Sequence, residues 1–280
     1  MLNEKTQDIS SKLKTGIPSI KDIEVTENLK SFSIMKEYSK KYLLNNKNNL
    51  KKYRWIRDSF NQWSRIYEYP FCLETIKQNI PANSKILDAG CGITFFPFFL
   101  NQNYTITCID QDDYSDIFTN INKKQKTNVT FKKSTLQDIP LQNNTFDAIY
   151  CISVLEHTED YHTILKEFHR LLKPQGIIII TFDIALDNND LGIPEKTARI
   201  LLKDIKKYFD LKYSSTKLSE ELDTKNIYAT KYVQKYKNNN LLPWPTFKLK
   251  RIIMTRIFKQ KIPKSINLTF CNLVARKKII

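Results

Sequence analysis

The chain has 280 residues, of which 41% are hydrophobic and 26% charged, and 45 basic against 29 acidic residues give it a net charge of +16. This length and composition are typical of a soluble globular protein with one large domain, or with a domain and an appendage. No apolar run approaches the ~20 residues that span a bilayer, which excludes a membrane-spanning helix. The five cysteines are scattered and lack the spacing of metal ligands, which argues against a zinc site and favours a cytoplasmic protein: Cys72, Cys91, Cys108, Cys151 and Cys271.

Residues 1–80 are expected to form an N-terminal helical extension. The first 25 residues are polar, and from Leu29 to Ile80 apolar residues recur at spacings of three and four, as on one face of a helix. The last piece of this pattern is predicted to begin after Pro70. The segment Trp63–Pro70 is dense in aromatic residues, and two interpretations of it stay open: it packs on the domain, or it is a lid over a bound cofactor.

The domain predicted for residues 81–280 is organised around the stretch Lys85–Pro97. An apolar strand ends there in Asp88, and Gly90 and Gly92 follow one residue apart, although the whole chain has only 5 glycines. This pattern predicts a buried strand, a tight turn and a helix start, where the backbone can approach a ligand closely. Open α/β sheets bind nucleotides in such a crevice, at the carboxyl ends of parallel strands.

Three downstream segments fit a nucleoside site. Tyr104–Asp110 predicts a second strand that ends in an acid, where a nucleoside-binding unit places the carboxylate for its ribose. Asp138 follows a predicted third strand, Val129–Lys133, and Phe146–His157 predicts a fourth strand that runs into an acid and a histidine. A dinucleotide site would need a third glycine where Phe95 stands, so the ligand is expected to be a nucleoside without a diphosphate.

With these motifs, the segment from Ile86 to Phe182 resembles the class I S-adenosylmethionine-dependent methyltransferases. The resemblance rests on five motifs in the family's order and spacing: Asp88-Ala-Gly-Cys-Gly92, Asp110, Asp138-Ile-Pro140, Val154-Leu-Glu-His157 and Leu171-Leu-Lys-Pro-Gln-Gly176. It departs from the family at Thr94 and Gln175, where the family has glycine more often. Upstream, Ser64-Arg-Ile-Tyr-Glu-Tyr-Pro70 is similar to a Ser-Arg-x-Trp-Glu-Tyr-Pro segment of a bacterial subgroup.

The resemblance implies S-adenosyl-L-methionine as the cofactor. The backbone of the glycine turn would face its methionine part, Asp110 the ribose hydroxyls and Asp138 the adenine, while Asp88 would orient the turn. No metal is expected. The full set of implied cofactor-binding residues is Arg65, Asp88, Ala89, Gly90, Cys91, Gly92, Asp110, Gln111, Gln137, Asp138 and Ile152.

His157 and Asp183 are the candidate catalytic residues, because each follows a predicted strand end that faces the cleft. For His157 the alternative is a scaffold role, since the Leu-Glu-His triplet occurs in family members with unrelated acceptors. Asp183 follows the fifth predicted strand and would contact the acceptor, and Glu156 is expected to bond a loop or a helix start. A dedicated base is optional, because positioning alone can contribute ~7–11 kcal/mol to catalysis.

The fold class expected is α/β: a Rossmann-like sheet of seven mostly parallel strands with helices on both faces, plus the N-terminal helical extension. Thr158 is expected to cap one helix, and another opens at Ile193. Leu211–Ser215 is predicted as an edge strand and Leu268–Ala275 as a last, antiparallel strand. Residues 241–264 predict a basic helical insertion whose apolar face packs on the domain or lies on a membrane surface.

Two classes of acceptor stay open. The first is a small-molecule or glycan-type acceptor, methylated on oxygen or nitrogen; the second is RNA held by the basic surface, or a nucleoside-binding module without activity. Ser153-Val-Leu-Glu156 stands where RNA enzymes with this sheet often carry an Asn/Asp-Pro-Pro-Tyr motif, which favours the first class. The charge itself fits low-GC codon drift, because lysine greatly outnumbers arginine, whose planar fork specific phosphate recognition prefers. The sequence predicts no oligomeric state.

Overall fold

The computed structural model describes residues 13–51, 60, 62–187, 190–236, 242 and 266–279. Its strands are β1 (Lys85–Ala89), β2 (Thr105–Asp110), β3 (Thr130–Lys133), β4 (Phe146–Ile152), β5 (Leu172–Ala185), β6 (Ile193–Pro194), β7 (Phe209–Asp210) and β8 (Leu268–Lys277). They form one sheet with the order β3-β2-β1-β4-β5-β8-β7, and β6 pairs with β5 off this path. Neighbouring strands among β1 to β5 are parallel, whereas β8 runs antiparallel to β5 and β7.

Helices cover both faces of the sheet. Helices α1 (Ile20–Glu27), α2 (Lys30–Asn45), α4 (Arg65–Asn79), α5 (Phe96–Leu100), α6 (Ser115–Gln125) and α10 (Thr230–Tyr236) contribute side chains to one hydrophobic cluster. Helices α7 (Tyr161–Leu171), α8 (Glu195–Tyr208) and α9 (Ser215–Leu222) contribute to the other, on the opposite face. A short helix, α3 (Lys47–Leu50), follows α2.

The central strands are apolar on both sides because both sides are covered. In β5 the four isoleucines Ile177–Ile180 are at most 1% exposed and alternate between the two clusters. A continuous apolar run of this kind is the pattern of a strand buried in a parallel sheet. The parallel arrangement of β1, β2, β4 and β5 places their carboxyl ends at one edge of the sheet, where the polar residues of the site lie.

The predicted fold class is confirmed. The main path of the described sheet has the seven expected strands, its last strand is antiparallel, and helices lie on both faces. The difference is the two-residue β6, which pairs with Ile184 and Ala185 at the end of a longer β5 than the sequence predicts.

Two predictions for the part of the domain after β4 are wrong. The edge strand is Phe209–Asp210 instead of Leu211–Ser215, because Ser214 accepts the N–H of Lys217 and so caps α9. The cap of α7 is Asp160, whose side chain accepts the N–H of Thr163, and not Thr158. Thr158 instead ends a single 3₁₀ turn, Leu155–His157, and donates to the carbonyl of Leu155.

The predicted start of a helix after Pro70 is also wrong. Pro70 lies inside α4, which begins five residues earlier at Arg65. Proline removes one helical hydrogen bond and usually ends or kinks a helix. Here every residue from Ile66 to Ile76 is buried, so tertiary packing along the whole helix compensates for that local cost.

The helices before residue 80 pack into the same hydrophobic cluster as the sheet. Gly16 also pairs with Asn272 of β8 through two backbone hydrogen bonds of 2.6 and 3.0 Å. The predicted basic insertion falls on residues of which only Leu242 is described, so it lies outside the described residues. Among the helices that the structure describes, none has the length and apolar character needed to cross a bilayer.

Candidate active site

The turn after β1 places two glycines at the carboxyl edge of the sheet. Gly90 and Gly92 have φ angles of 78° and 53°, in the left-handed region that glycine adopts at low cost. The N–H groups of Gly90 and Cys91 donate to the carbonyl of Ile109 at 2.9 and 3.1 Å, which ties the turn to β2. A Cβ at Gly90 would lie 2.6 Å from Cγ2 of Val154. Glycine is therefore required at this position by the packing of the turn against the segment after β4.

Asp110 ends β2 directly beside this turn and is half-buried. One of its carboxylate oxygens accepts the N–H of Gly92 at 2.9 Å, and the other accepts the N–H of Asp112 at 3.0 Å. An ionised carboxylate accepts hydrogen bonds and has no donor of its own, so it is suited to hydroxyl donors. The bonds also fix the orientation of the carboxylate at the sheet edge, next to the glycine turn.

The other residues predicted for the cofactor lie along the same edge with different exposure. Asp88, Ala89 and Cys91 are buried, and Ile152 is half-buried at the end of β4. Burial raises the pKa of the Cys91 thiol well above its usual range, and a hydrogen bond with Cys108 adds to the rise. This thiol is therefore not a ready nucleophile. Three further candidates are exposed on the loops after β2 and β3: Gln111, Gln137 and Asp138.

The helix after the turn is poorly suited to a diphosphate. Helix α5 has only five residues and contains Pro97, which has no N–H to donate to an anion. Phe95, at the position of the third glycine of a dinucleotide site, is fully buried, with its ring centroid 5.1 Å from that of Tyr69 and 6.0 Å from that of Phe60. This geometry fits a nucleoside ligand without a diphosphate.

A hydrogen-bonded network joins α4 to the ends of β4 and β5. Glu68 is fully buried, and its carboxylate accepts from the guanidinium of Arg65, from the hydroxyl of Ser153 at 2.8 Å and from that of Thr181 at 2.5 Å. Arg65 also donates to Oγ of Ser153 at 2.6 Å. Ser153 has a φ of 51°, which is uncommon for a residue other than glycine. The network holds the backbone at the end of β4 in this conformation.

Two more carboxyl groups lie beside this network, one on the 3₁₀ turn and one on β5. Oε1 of Glu156 accepts the N–H of Asp183 at 3.4 Å. Burial raises the pKa of Glu156 to about 8, and the charge of Glu68 adds to the rise, while hydrogen bonds from the backbone of Glu156 and of Asp183 and the charge of Arg65 oppose it. Burial and the charge of Glu156 raise the pKa of Asp183 well above its usual range. Among the described residues, Oε2 of Glu156 and Oδ1 of Asp183 are buried and have no hydrogen-bond partner.

His157 lies at the rim of this group, with an exposed side chain. Desolvation of the imidazole by the residues around it lowers the pKa of His157, and the positive charge of Arg65 lowers it further. The imidazole is therefore neutral at physiological pH and able to accept a proton. The structure thus brings His157 and Asp183, the two predicted catalytic candidates, to the same end of the sheet.

Sequence reasoning missed the polar partners that α4 and β5 bring to the site. Glu68 and Thr181 lie in stretches that read as packing elements, and their pairing joins positions 113 residues apart. Glu156 does bond backbone as predicted, but it accepts the N–H of the strand residue Asp183 and not one from a loop or a helix start. The one available signal is an acid inside an almost wholly buried helix, since buried acids are rare unless they are paired.

The aromatic side chains around Arg65 are core residues. Trp63 is 2% exposed, with its ring centroid 5.3 Å from that of Phe270 and 6.4 Å from that of Tyr228. Tyr67 is fully buried, and its hydroxyl donates to the carbonyl of Lys14 at 2.9 Å. These contacts favour the packing interpretation of the segment, and a role as a lid stays a prediction.

Comparison with known proteins points to one domain type. Residues 87–180 match the family model described as a methyltransferase domain. The chain is 29% identical over 152 residues to a ubiquinone biosynthesis O-methyltransferase of Rickettsia bellii, covering 49% of this chain and 62% of that protein. It is 34% identical over 101 residues to the tRNA U34 carboxymethyltransferase of Nautilia profundicola, covering 35% of this chain and 34% of that protein. The chain therefore spans less than two thirds of the length of these curated relatives.

Among solved structures, the 4+2 cyclase SpnF is similar to this chain with a TM-score of 0.52 and 16% identity, covering 95% of this chain and 100% of that one. At this identity the likeness supports the Rossmann-like α/β fold and nothing about the chemistry. The family match supports a methyltransferase domain over residues 87–180, and the fold of the described residues agrees with it.

Proposed function

We propose that this chain is a methyltransferase that uses S-adenosyl-L-methionine to modify a small-molecule or glycan-type acceptor on oxygen or nitrogen. The observation that supports it most is the geometry of Asp110, a half-buried carboxylate held by the N–H of Gly92 at the end of β2. It stands inside the stretch that matches the methyltransferase domain. A carboxylate at this position, beside a glycine turn without a diphosphate site, suits the hydroxyls of a ribose.

The residues would divide the cofactor between them. Asp110 would accept from the ribose hydroxyls, the backbone from Ala89 to Gly92 would lie along the methionine part, and Asp138 would accept from the adenine amino group. Gln111, Gln137 and Ile152 would line the nucleoside. Asp88 would support the glycine turn, and Arg65 would support the end of β4. When bound, the cofactor supplies a methyl group on a sulfonium, ready for transfer.

The chain's own contribution would be positioning and the exclusion of water. The network of Arg65, Glu68 and Ser153 fixes the end of β4 beside the glycine turn. Aligning an acceptor with the methyl carbon can contribute ~7–11 kcal/mol, without a dedicated base. His157, whose pKa is lowered, can take a proton at the rim of the site.

The polar groups at the acceptor side favour a small acceptor over RNA. Near the ends of β4 and β5 the described side chains include three carboxyl groups, Glu68, Glu156 and Asp183, and the cation that acts on them, Arg65, is bonded to Glu68. An RNA enzyme should instead present basic residues where its cleft opens, because they must contact phosphates.

The first test is the substitution Asp110→Ala. It removes charge-assisted hydrogen bonds worth ~1.5–3 kcal/mol, so the affinity for S-adenosylhomocysteine, measured by calorimetry, should fall about ten- to a hundredfold. Asp113→Ala is the matched control, because Asp113 is an exposed acid three residues further on that bonds only to Ser115 in the described contacts. An unchanged dissociation constant in a folded Asp110→Ala variant would show that this carboxylate has another role.

The second test separates the ligand and acceptor classes. The protein should bind S-adenosylhomocysteine and not NADH, because Phe95 and the short α5 leave no diphosphate site.

The likeness to a tRNA carboxymethyltransferase and the charge of +16 favour RNA as the second candidate acceptor. Labelled methyl groups should nonetheless appear in a metabolite or glycan fraction, and RNA binding should collapse as salt rises from ~50 to ~200 mM. Label at a defined nucleotide at physiological salt would reverse this assignment.

A further inference from the structure

The pair Glu156 and Asp183 has two carboxyl oxygens that the described structure leaves without a partner. Oε2 of Glu156 and Oδ1 of Asp183 are buried, while the residues themselves are only half-buried at the edge of the sheet. A buried polar oxygen without a hydrogen bond is costly, and native structures keep few of them. Two such oxygens on neighbouring acids therefore point to a ligand that donates hydrogen bonds.

The charges around the pair indicate the sign of that ligand. Glu68 adds a third carboxyl group, and Arg65 is the cation that acts on both members of the pair. With all three acids ionised, the local net charge would be negative by two. Within the described part of the chain, the other titratable groups on which the charge of Glu156 acts carry no positive charge at neutral pH: Cys151 of β4 and Tyr161 of α7. His157, the next residue along the 3₁₀ turn, has a lowered pKa and is neutral as well.

We propose that Glu156 and Asp183 form the acceptor subsite and that the acceptor is an amine, bound as its ammonium cation between the two carboxyl groups. The proposal rests on the proposed methyltransferase function and narrows it to transfer onto nitrogen. An ammonium group has three N–H donors, enough for both orphaned oxygens, and its charge offsets the excess of acid. A hydroxyl acceptor has a single donor and leaves the charge of the ionised pair uncompensated.

A metal ion would also be a cation, but the donor set does not favour one. Within the residues that the structure describes, no group of three or more His, Cys, Asp or Glu side chains is arranged to hold a metal. The hydroxyl and guanidinium partners of Glu68 already occupy that carboxylate. Two carboxyl groups with one open oxygen each suit a hydrogen-bonding cation better.

The same pair accounts for the proton that must leave the nitrogen. Glu156, with a pKa of about 8, carries a proton in the free protein near neutrality and releases it when the ammonium cation binds. The ionised carboxylate then takes one proton from the ammonium group, which frees the nitrogen lone pair. The nitrogen forms its bond to the methyl carbon as the carbon–sulfur bond breaks, and sulfur keeps that electron pair. The products are a methylated ammonium ion and a neutral thioether.

Calorimetry with matched amine and alcohol pairs tests this subsite in the presence of saturating S-adenosylhomocysteine. The pairs are ethanolamine with ethylene glycol, glucosamine with glucose, and putrescine with 1,4-butanediol, at about pH 7 in two buffers that differ in ionisation enthalpy. At least one amine should bind tenfold or more tightly than its alcohol, with release of a proton to the buffer. Glu156→Gln and Asp183→Asn should each weaken that binding at least tenfold, whereas Glu159→Gln, at an exposed neighbouring acid, should not.

Binding of S-adenosylhomocysteine serves as the control that distinguishes the methyltransferase proposal from the amine subsite. Both amides mimic a protonated carboxyl group, so both variants should fold and should bind S-adenosylhomocysteine as the unchanged protein does. If the unchanged protein fails to bind S-adenosylhomocysteine, the methyltransferase proposal fails. If it binds, three results overturn the amine subsite: alcohols bind as well as amines, no amine in the panel binds at millimolar concentration, or amine binding requires added Mg²⁺.

Discussion

Replacing Glu68 with alanine is expected to lower the free energy of unfolding by about 3–5 kcal/mol, because it leaves a buried charge without its partner. Glu68 is fully buried and accepts from Arg65, Ser153 and Thr181. Without it, the guanidinium of Arg65 loses its carboxylate, and two hydroxyl groups lose an acceptor. Urea denaturation followed by circular dichroism measures the change.

Glu37→Ala is the control for this substitution. Glu37 and Lys41 also form an ion pair, at 2.7 Å, but their side chains are 67% and 69% exposed. Exposed pairs contribute little, so this variant should leave the free energy of unfolding nearly unchanged. The double substitution Arg65→Met with Glu68→Leu should recover much of the loss, because no charge then stays buried alone. A loss below about 1 kcal/mol in Glu68→Ala would mean that the network contributes little to the fold.

The protein is expected to lose stability as the pH rises, and Glu156 is the residue responsible for a large share of the loss. Burial raises the pKa of Glu156 from the ordinary value of 4.5 to about 8 in the folded chain. Between these values the folded state holds a proton that the unfolded state has released, so stability falls with rising pH across this window. Below this window Glu156 is protonated in both states and does not lower the free energy of unfolding. Above it the ionised Glu156 is buried in the folded state and lowers the free energy of unfolding by the full amount.

Glu156→Gln removes this titration. At pH 9 the variant should be more stable than the unchanged protein by roughly 2–4 kcal/mol, since each pKa unit corresponds to 1.36 kcal/mol, and at pH 5 the two should be nearly equal. Asp183→Asn should act in the same direction, because the pKa of Asp183 is also raised. Chemical denaturation at the two pH values makes the comparison, with Glu159→Gln as the exposed control. A Glu156→Gln variant that is no more stable than the unchanged protein at pH 9 would show that the carboxyl group ionises in the fold without cost.

Local patterns were enough to predict most of the sheet. The isoleucine run of β5 and the apolar approach to Asp88 identify buried strands, because burial on both faces leaves a continuous apolar run. The helix starts that were predicted wrongly lie where tertiary packing overrides the local preference of the residues. Pro70 is held inside α4 by burial on all sides, and Thr158 is drawn into a 3₁₀ turn, which leaves Asp160 to cap the next helix.

The sequence by itself determined which residues form the proposed cofactor half of the site, and only the tertiary structure decided the proposed acceptor half. Gly90, Gly92 and Asp110 could be predicted because consecutive parallel strands bring their carboxyl ends to one edge, so order along the chain becomes proximity. The bonded partners of the proposed acceptor side are 27 to 113 positions apart, and α4, the residue after β4, the 3₁₀ turn and β5 each contribute only one or two of them. Whether each carboxyl group is paired, solvated or left with an orphaned oxygen depends on how those elements pack. That packing also sets the pKa values of Glu156 and Asp183, because desolvation is a property of the surroundings and not of the residue.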